Sequence, residues 1–161
     1  MTSMSTNLLF FSFVFSVCAC STIGAISLKG NDGIDLSDEK GIEHVNFDFV
    51  INGYKVNCRG DKFIVWGKPK EFNEGNPQDT KVALVDINDG YKIYEKGLSS
   101  GVFDADYLNN GLGIYIGSGG GFIMDVVNGD LESIGGEFDA SNDDNFESCD
   151  KNSSWEFNRY P

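Results

Sequence analysis

"INGYKVNCRG", residues 51–60, returns as "NDGYKIYEKG" at residues 88–97, and a fainter copy, "VNGDLESIGG", occupies residues 127–136. Glycines keep the register: Gly53 and Gly60, Gly90 and Gly97, Gly129 and Gly136. Each copy carries Asn-Gly or Asp-Gly near its start, the pair that a type I′ hairpin turn favours because both central residues take positive φ. Ahead of the first copy, Val45, Phe47, Phe49 and Ile51 alternate with His44, Asn46, Asp48 and Val50, the period of a half-buried strand. Tyr54, Val56 and Cys58 then read as the return strand, and "RGDK" turns into "FIVW".

The other copies follow the same plan. "KVALVDI" runs into Asp89-Gly90 and returns as "YKIYEK"; "GFIMDVV" runs into Asn128-Gly129 and returns as "DLESI". A separate Asn110-Gly111 turn joins "GVFDADYL" to "GLGIYIG". Nothing after the first residues has a helical period. The spacing predicts an all-β fold of about three antiparallel hairpin units, 37–39 residues each, in a small propeller-like or sandwich-like arrangement. The repeat is architectural, because a hairpin cannot bury its apolar face alone and stacking neighbours does so.

Residues 1–28 carry no charge, and Leu8–Val17 form an apolar run followed by small residues. A membrane-spanning helix needs about 20 apolar residues, so this run fits the core of an export signal instead. Residues 1–20 are therefore expected to be a signal peptide, although no Lys or Arg stands near Met1. "VCAC" resembles a lipoprotein signal with Cys20 as the lipidated residue; ordinary cleavage after Ala25 is the alternative. Residues 21–43 are polar and charged and read as a flexible acidic linker, leaving 44–161 as a single β domain. The expected location is outside the cytoplasm: periplasmic or outer-membrane-anchored in a bacterium, otherwise secreted. Export leaves Cys58 and Cys149, which in an oxidising compartment are most simply a disulfide.

The net charge is −13, and ten acidic residues from Asp125 onward face only Lys151 and Arg159. Such a surface repels nucleic acid and anionic lipid and favours cationic partners. Contact with a membrane is expected only through a lipid anchor.

Several stretches invite a chemical reading. "GSGGGF" (117–122) lies between two strands and has no following Lys, unlike a phosphate loop, which feeds a helix. It reads as a glycine-rich tip, with Gly117, Ser118 and Gly119 as candidates for a contact loop; "GLSSG" (97–101) is a second tip carrying Ser99 and Ser100. Asp139, Ser141 and Asp143 match the first, third and fifth positions of a calcium loop, but Asp144 and Asp150 stand where Gly and Glu are usual. These are weak calcium candidates within a solvated acidic loop, and no metal or cofactor is expected. "RGD" (59–61) is an adhesion tripeptide, and Asn152 begins a glycosylation sequon that has meaning only in a eukaryote. His44 is the only imidazole, at the domain's edge, so no catalytic set is expected and the chain reads as a non-enzyme.

An exported, acidic, all-β domain with one disulfide and no catalytic set resembles the periplasmic immunity proteins of type VI secretion amidase effectors. Periplasmic lysozyme inhibitors resemble it nearly as well. The likeness covers the architecture of the domain and no particular motif. It implies a binding protein whose partner is a cell-wall hydrolase with a cationic surface, blocked by a small-residue loop inserted into its active-site cleft. The competing expectation is a secreted or surface-anchored domain that binds carbohydrate or host protein without inhibiting anything.

Overall fold

The computed structural model describes residues 21–136, 138–149 and 154–160. The described residues form three antiparallel sheets and no α-helix. The first sheet is the meander β1 (Ala25–Lys29), β2 (Gly33–Asp38) and β3 (Gly41–Asn46). The second is β4 (Phe49–Val56), β5 (Lys62–Pro69), β6 (Thr80–Asp86) and β7 (Lys92–Leu98), with the C-terminal β12 (Glu156–Asn158) added beside β4. The third is β8 (Asp104–Tyr107), β9 (Gly113–Gly117), β10 (Phe122–Asp125) and β11 (Leu131–Ser133). All three sheets are open, with no closed barrel.

The second sheet lies between the other two. Phe63, Val65, Ala83 and Val85 pack with Ile26, Ile34, Leu36 and Val45 of the first sheet. The alternate residues Ile64, Trp66, Val82 and Leu84 pack with Ala105, Tyr107, Ile114, Ile116 and Met124 of the third. A strand covered on both faces has no polar side to alternate with, which is why β5 reads "FIVW" and β6 reads "VALV".

Each sheet closes its last hairpin with the same device. Asp38 Oδ1 accepts from the backbone N–H groups of Lys40 and Gly41, Asp86 Oδ1 from Asn88 and Asp89, and Asp125 Oδ1 from Val127 and Asn128. Such an aspartate mimics a turn of backbone and fixes the corner. Gly90 and Gly129 follow with φ of 67° and 71°, where L-residues are strained. The Asp89-Gly90, Asn110-Gly111 and Asn128-Gly129 turns lie where the sequence places them.

Two expectations are corrected. Residues 21–43 are not a flexible linker: most of them build the first sheet. Ile34 and Leu36 point into the core while Asp35 and Ser37 are only partly buried, a strand alternation hidden by the surrounding charge. Nor is Asn52-Gly53 a hairpin turn, because both residues lie inside β4. The pairing steps from Ile51↔Gly67 to Gly53↔Trp66, leaving Asn52 unpaired as a β-bulge. The actual β4–β5 turn is Asn57–Asp61, where Asn57 Oδ1 accepts from the N–H groups of Asp61 and Lys62. The three sequence copies therefore do not coincide with the three sheets; the second and third are equivalent hairpins, and the first is not.

The reason Gly53 is glycine is contact, not turn geometry. Its φ lies outside the left-handed region. A Cβ there would stand 2.2 Å from Trp66 Cζ2 and 2.8 Å from the carbonyl oxygen of Phe157. Gly53→Ala is expected to cost about 1–3 kcal/mol, as overpacking does. Gly97→Ala, with nothing within 4 Å of the added carbon, should leave the urea midpoint nearly unchanged. Equal midpoints for the two variants would show that the Trp66–Gly53 contact is not tight.

Candidate functional site

The β-bulge supplies the site's central group. A bulge re-aims a side chain that regular pairing would hold in the ladder. Asn52 is 8% exposed, and its side-chain amide makes no hydrogen bond among the described residues. It lines a cavity of about 340 Å³ together with Trp66, Gln78, Phe103, Asn158 and Tyr160. An amide that opens on a cleft without a protein partner offers a donor and an acceptor to a ligand.

The walls come from three distant parts of the chain. Trp66 lies across Gly53, and its indole N–H has no partner. β12 is held by pairing to β4, and Arg159 N–H donates to the Asn52 carbonyl at 2.7 Å. Asn158 Nδ2 donates to the Phe103 carbonyl at 2.7 Å, joining the C-terminal strand to the loop before β8. Phe103 and Tyr160 stand open at the rim, 66% and 64% exposed. Exposed aromatic rings around a concave, mostly apolar floor that carries one unpartnered amide form a surface that a ring-shaped, hydroxyl-bearing ligand can stack on and hydrogen-bond to.

A second depression of about 500 Å³ shares Trp66 and Asn158 and continues the groove along β8 to Asp104, Asp106 and Glu156. Lys55 pairs with Asp106 and lies 3.7 Å from Glu156 Oε2. The Asp104 carboxylate lies on the backbone of Gly117, where a Cβ would come within 1.6 Å of its Oδ1. Partial burial, and then the Asp106 charge, raise the pKa of Asp104 above the ordinary carboxylate value. A larger depression of about 640 Å³ is lined by residues that include Ser21, Lys40 and Tyr91.

The two glycine-rich tips meet at this groove. Ser100 and Gly119 line it, and Ser100 Oγ and Ser118 Oγ are hydrogen-bonded at 2.5 Å. Ser118 is 3% exposed. Its hydroxyl is turned inward and occupied, which corrects the expectation that it reaches into a partner's cleft. Gly117 is buried beneath Asp104; Gly97, Ser99, Gly119 and Gly120 are the exposed part of the tips.

The remaining sequence candidates fall elsewhere. Cys58 and Cys149 are bonded, 91 residues apart, and the expected disulfide is present. A closed loop of that length removes about 4–5 kcal/mol of unfolded-chain entropy by the usual estimate. Ahead of Cys149, Leu108 bridges Phe146 and Glu147 N–H donates to the Tyr107 carbonyl, so this segment covers the free edge of β8. Cys20 and Asn152 lie outside the described residues. Asp139 Oδ1 accepts from the N–H and hydroxyl of Ser141, and Asp143 begins a short 3-10 turn. No metal-ligating cluster occurs among the described residues. In "RGD", Asp61 is 3% exposed and bonded to Arg59 and Asn57, so its carboxylate faces inward. Burial opposes its charge, but those hydrogen bonds and the Arg59 and Lys62 charges hold its pKa below the ordinary value. His44 Nδ1 is 2.5 Å from Asp35 Oδ1 on the exposed face of the first sheet, beside Lys29, remote from the groove residues in the sheet order.

No helix among the described residues is long and apolar enough to cross a membrane. Comparison with known protein families, with curated proteins and with solved structures finds no match.

Behind the groove, Tyr107 is 4% exposed with no partner for its hydroxyl. Burial, and then the carboxylates of Glu147, Asp61 and Asp86, raise its pKa well above the ordinary 10.0. Above that pH the unfolded phenol releases its proton while the folded one keeps it, so this tyrosine's contribution is complete below pH 10 and is lost as pH rises beyond it. Tyr107→Phe removes an unpaired hydroxyl and should leave neutral stability equal or higher. Its loss of stability in alkaline urea titrations should be shallower than that of the wild type; identical alkaline slopes would show that Tyr107 ionises freely.

Proposed function

We propose that the protein is an exported binding domain for carbohydrate, which docks in the groove between Trp66, Phe103 and Tyr160. The observation that carries this reading is the Asn52 amide, 8% exposed and unpartnered, opening on a cavity rimmed by two exposed aromatic rings. An amide offers both donor and acceptor, as a sugar's hydroxyl pairs require. Aromatic faces cover the apolar C–H face of a pyranose ring. The groove is concave, which suits a ligand entering the protein better than a loop leaving it. The disulfide and the uncharged N-terminal run are compatible with function outside the cytoplasm, either in a bacterial envelope or secreted.

Inhibition of a cell-wall hydrolase is the second reading. Its supporting observation is the exposed Gly119–Gly120 tip, where nothing lies within 4 Å of a side chain added at Gly120. A backbone without side chains can approach a narrow cleft closely, and the charge of −13 favours a cationic partner.

A panel of neutral and charged oligosaccharides, titrated calorimetrically, separates the two. Binding is expected, and Phe103→Ala and Tyr160→Ala should each weaken it roughly tenfold, the loss of about 1.4 kcal/mol of stacking. Asn52→Ala should weaken it further, with thermal midpoints within a few degrees of the wild type. If no saccharide binds while a cationic peptidoglycan hydrolase does, the second reading replaces the first.

A further inference from the structure

The carbohydrate reading leaves the acidic end of the groove without a task. Along that end, Asp104, Asp106 and Glu156 supply three carboxylates against the single ammonium of Lys55. Lys55 is engaged with Asp106 and Glu156, whereas the Asp104 carboxylate makes no hydrogen bond among the described residues. The floor shared by both halves of the groove is Trp66, 3% exposed, whose indole N–H is also unpartnered. One stretch of wall therefore combines the edge of a nearly buried tryptophan, an amide with no protein partner, and three carboxylates that outnumber the single ammonium of Lys55.

We infer that the preferred ligand is an amino sugar with a free ammonium group, seated so that the ammonium meets Asp104 while a neighbouring ring lies toward Asn52 and Phe103. This rests on the carbohydrate reading and names the ligand class for the same groove. A neutral saccharide satisfies Asn52 but leaves the excess of carboxylates over Lys55 unbalanced, and an acidic one is repelled by the three carboxylates. An ammonium donates to Asp104 by a charge-assisted hydrogen bond, the stronger kind. Gly117 is what lets Asp104 lie there: any side chain at that position would collide with the carboxylate.

The test is calorimetric titration of the full mature protein, in mildly acidic buffer, with three oligosaccharides of equal length. They are a fully de-N-acetylated glucosamine oligomer, its N-acetylated counterpart and a neutral glucose oligomer. The de-N-acetylated oligomer should bind roughly tenfold more tightly than either of the others, as a charge-assisted contact implies. Asp104→Asn should erase that preference, and added salt should weaken the preference in the wild type. Equal affinities for all three oligomers would overturn the amino-sugar inference and leave the carbohydrate reading standing. No binding of any oligomer would overturn both. A short oligolysine peptide that binds as tightly as the amino sugar, and loses affinity equally in Asp104→Asn, would show that the groove reads an ammonium on a peptide and would also overturn the inference. Should Asp104→Asn unfold, Gly117→Ala offers a second route, since it displaces the carboxylate without removing it; it should lower only the amino-sugar affinity.

Discussion

The packing of the second sheet between the other two is the constraint on which the structure depends. β5 and β6 give Phe63, Val65, Ala83 and Val85 to one core and Ile64, Trp66, Val82 and Leu84 to the other. A small isolated sheet with one apolar face is marginal in water, so the first and third sheets each gain their stability from the face they press against the middle one. Neither core is continuous with the other except through these two strands. The acidic surface is tolerable because the cost of self-repulsion falls on the outside, while the strands that hold the layers together carry no charge between Phe63 and Trp66 or between Val82 and Val85.

The groove is a by-product of that stacking, adjusted locally. Trp66 needs room where β5 faces the third sheet, and Gly53 provides it by having no side chain. The extra residue at Asn52 bends β4 and leaves an amide with nothing to bond. β12 then pairs with the same stretch of β4, placing Asn158 and Tyr160 on the wall. The disulfide lies a short way up the chain from β12 and ties the segment before it to the β4–β5 turn. Strand, bulge and crosslink thus converge on the one stretch, residues 51–60, with which the sequence attracts attention.

Much of the fold could be read from local signals. Asp89-Gly90, Asn110-Gly111 and Asn128-Gly129 are true corners, because at each the chemistry of the turn is contained in neighbouring residues. The Cys58–Cys149 bond is the pairing left when the cysteines of residues 1–20 are set aside. Asn52-Gly53 carried the same signal and misled, because a bulge and a turn both favour this pair and only the partner across the sheet, Trp66, decides between them. The first sheet was hidden by composition: charges at Asp35, Asp38, Glu39 and Lys40 obscured the inward pair Ile34 and Leu36. The groove was not legible at all. Its residues at 52, 66, 103, 158 and 160 share no spacing, and an exposed Phe103 looks in sequence like any other core phenylalanine. Ser118 shows the opposite error, a residue conspicuous in sequence whose hydroxyl turns inward to Ser100.

Native-state hydrogen exchange resolved by residue tests the central claim most directly. If the second sheet is the shared layer, amides of Phe63–Trp66 and Val82–Val85 exchange only through global unfolding, and their opening energies equal the stability measured in denaturant. The hairpins β1–β2 and β10–β11, each buried on one face, should open at lower energy and independently of one another. Exchange of the β5 and β6 amides as fast as those of β1 or β11 would contradict the account, because the two cores would then stand without a common layer.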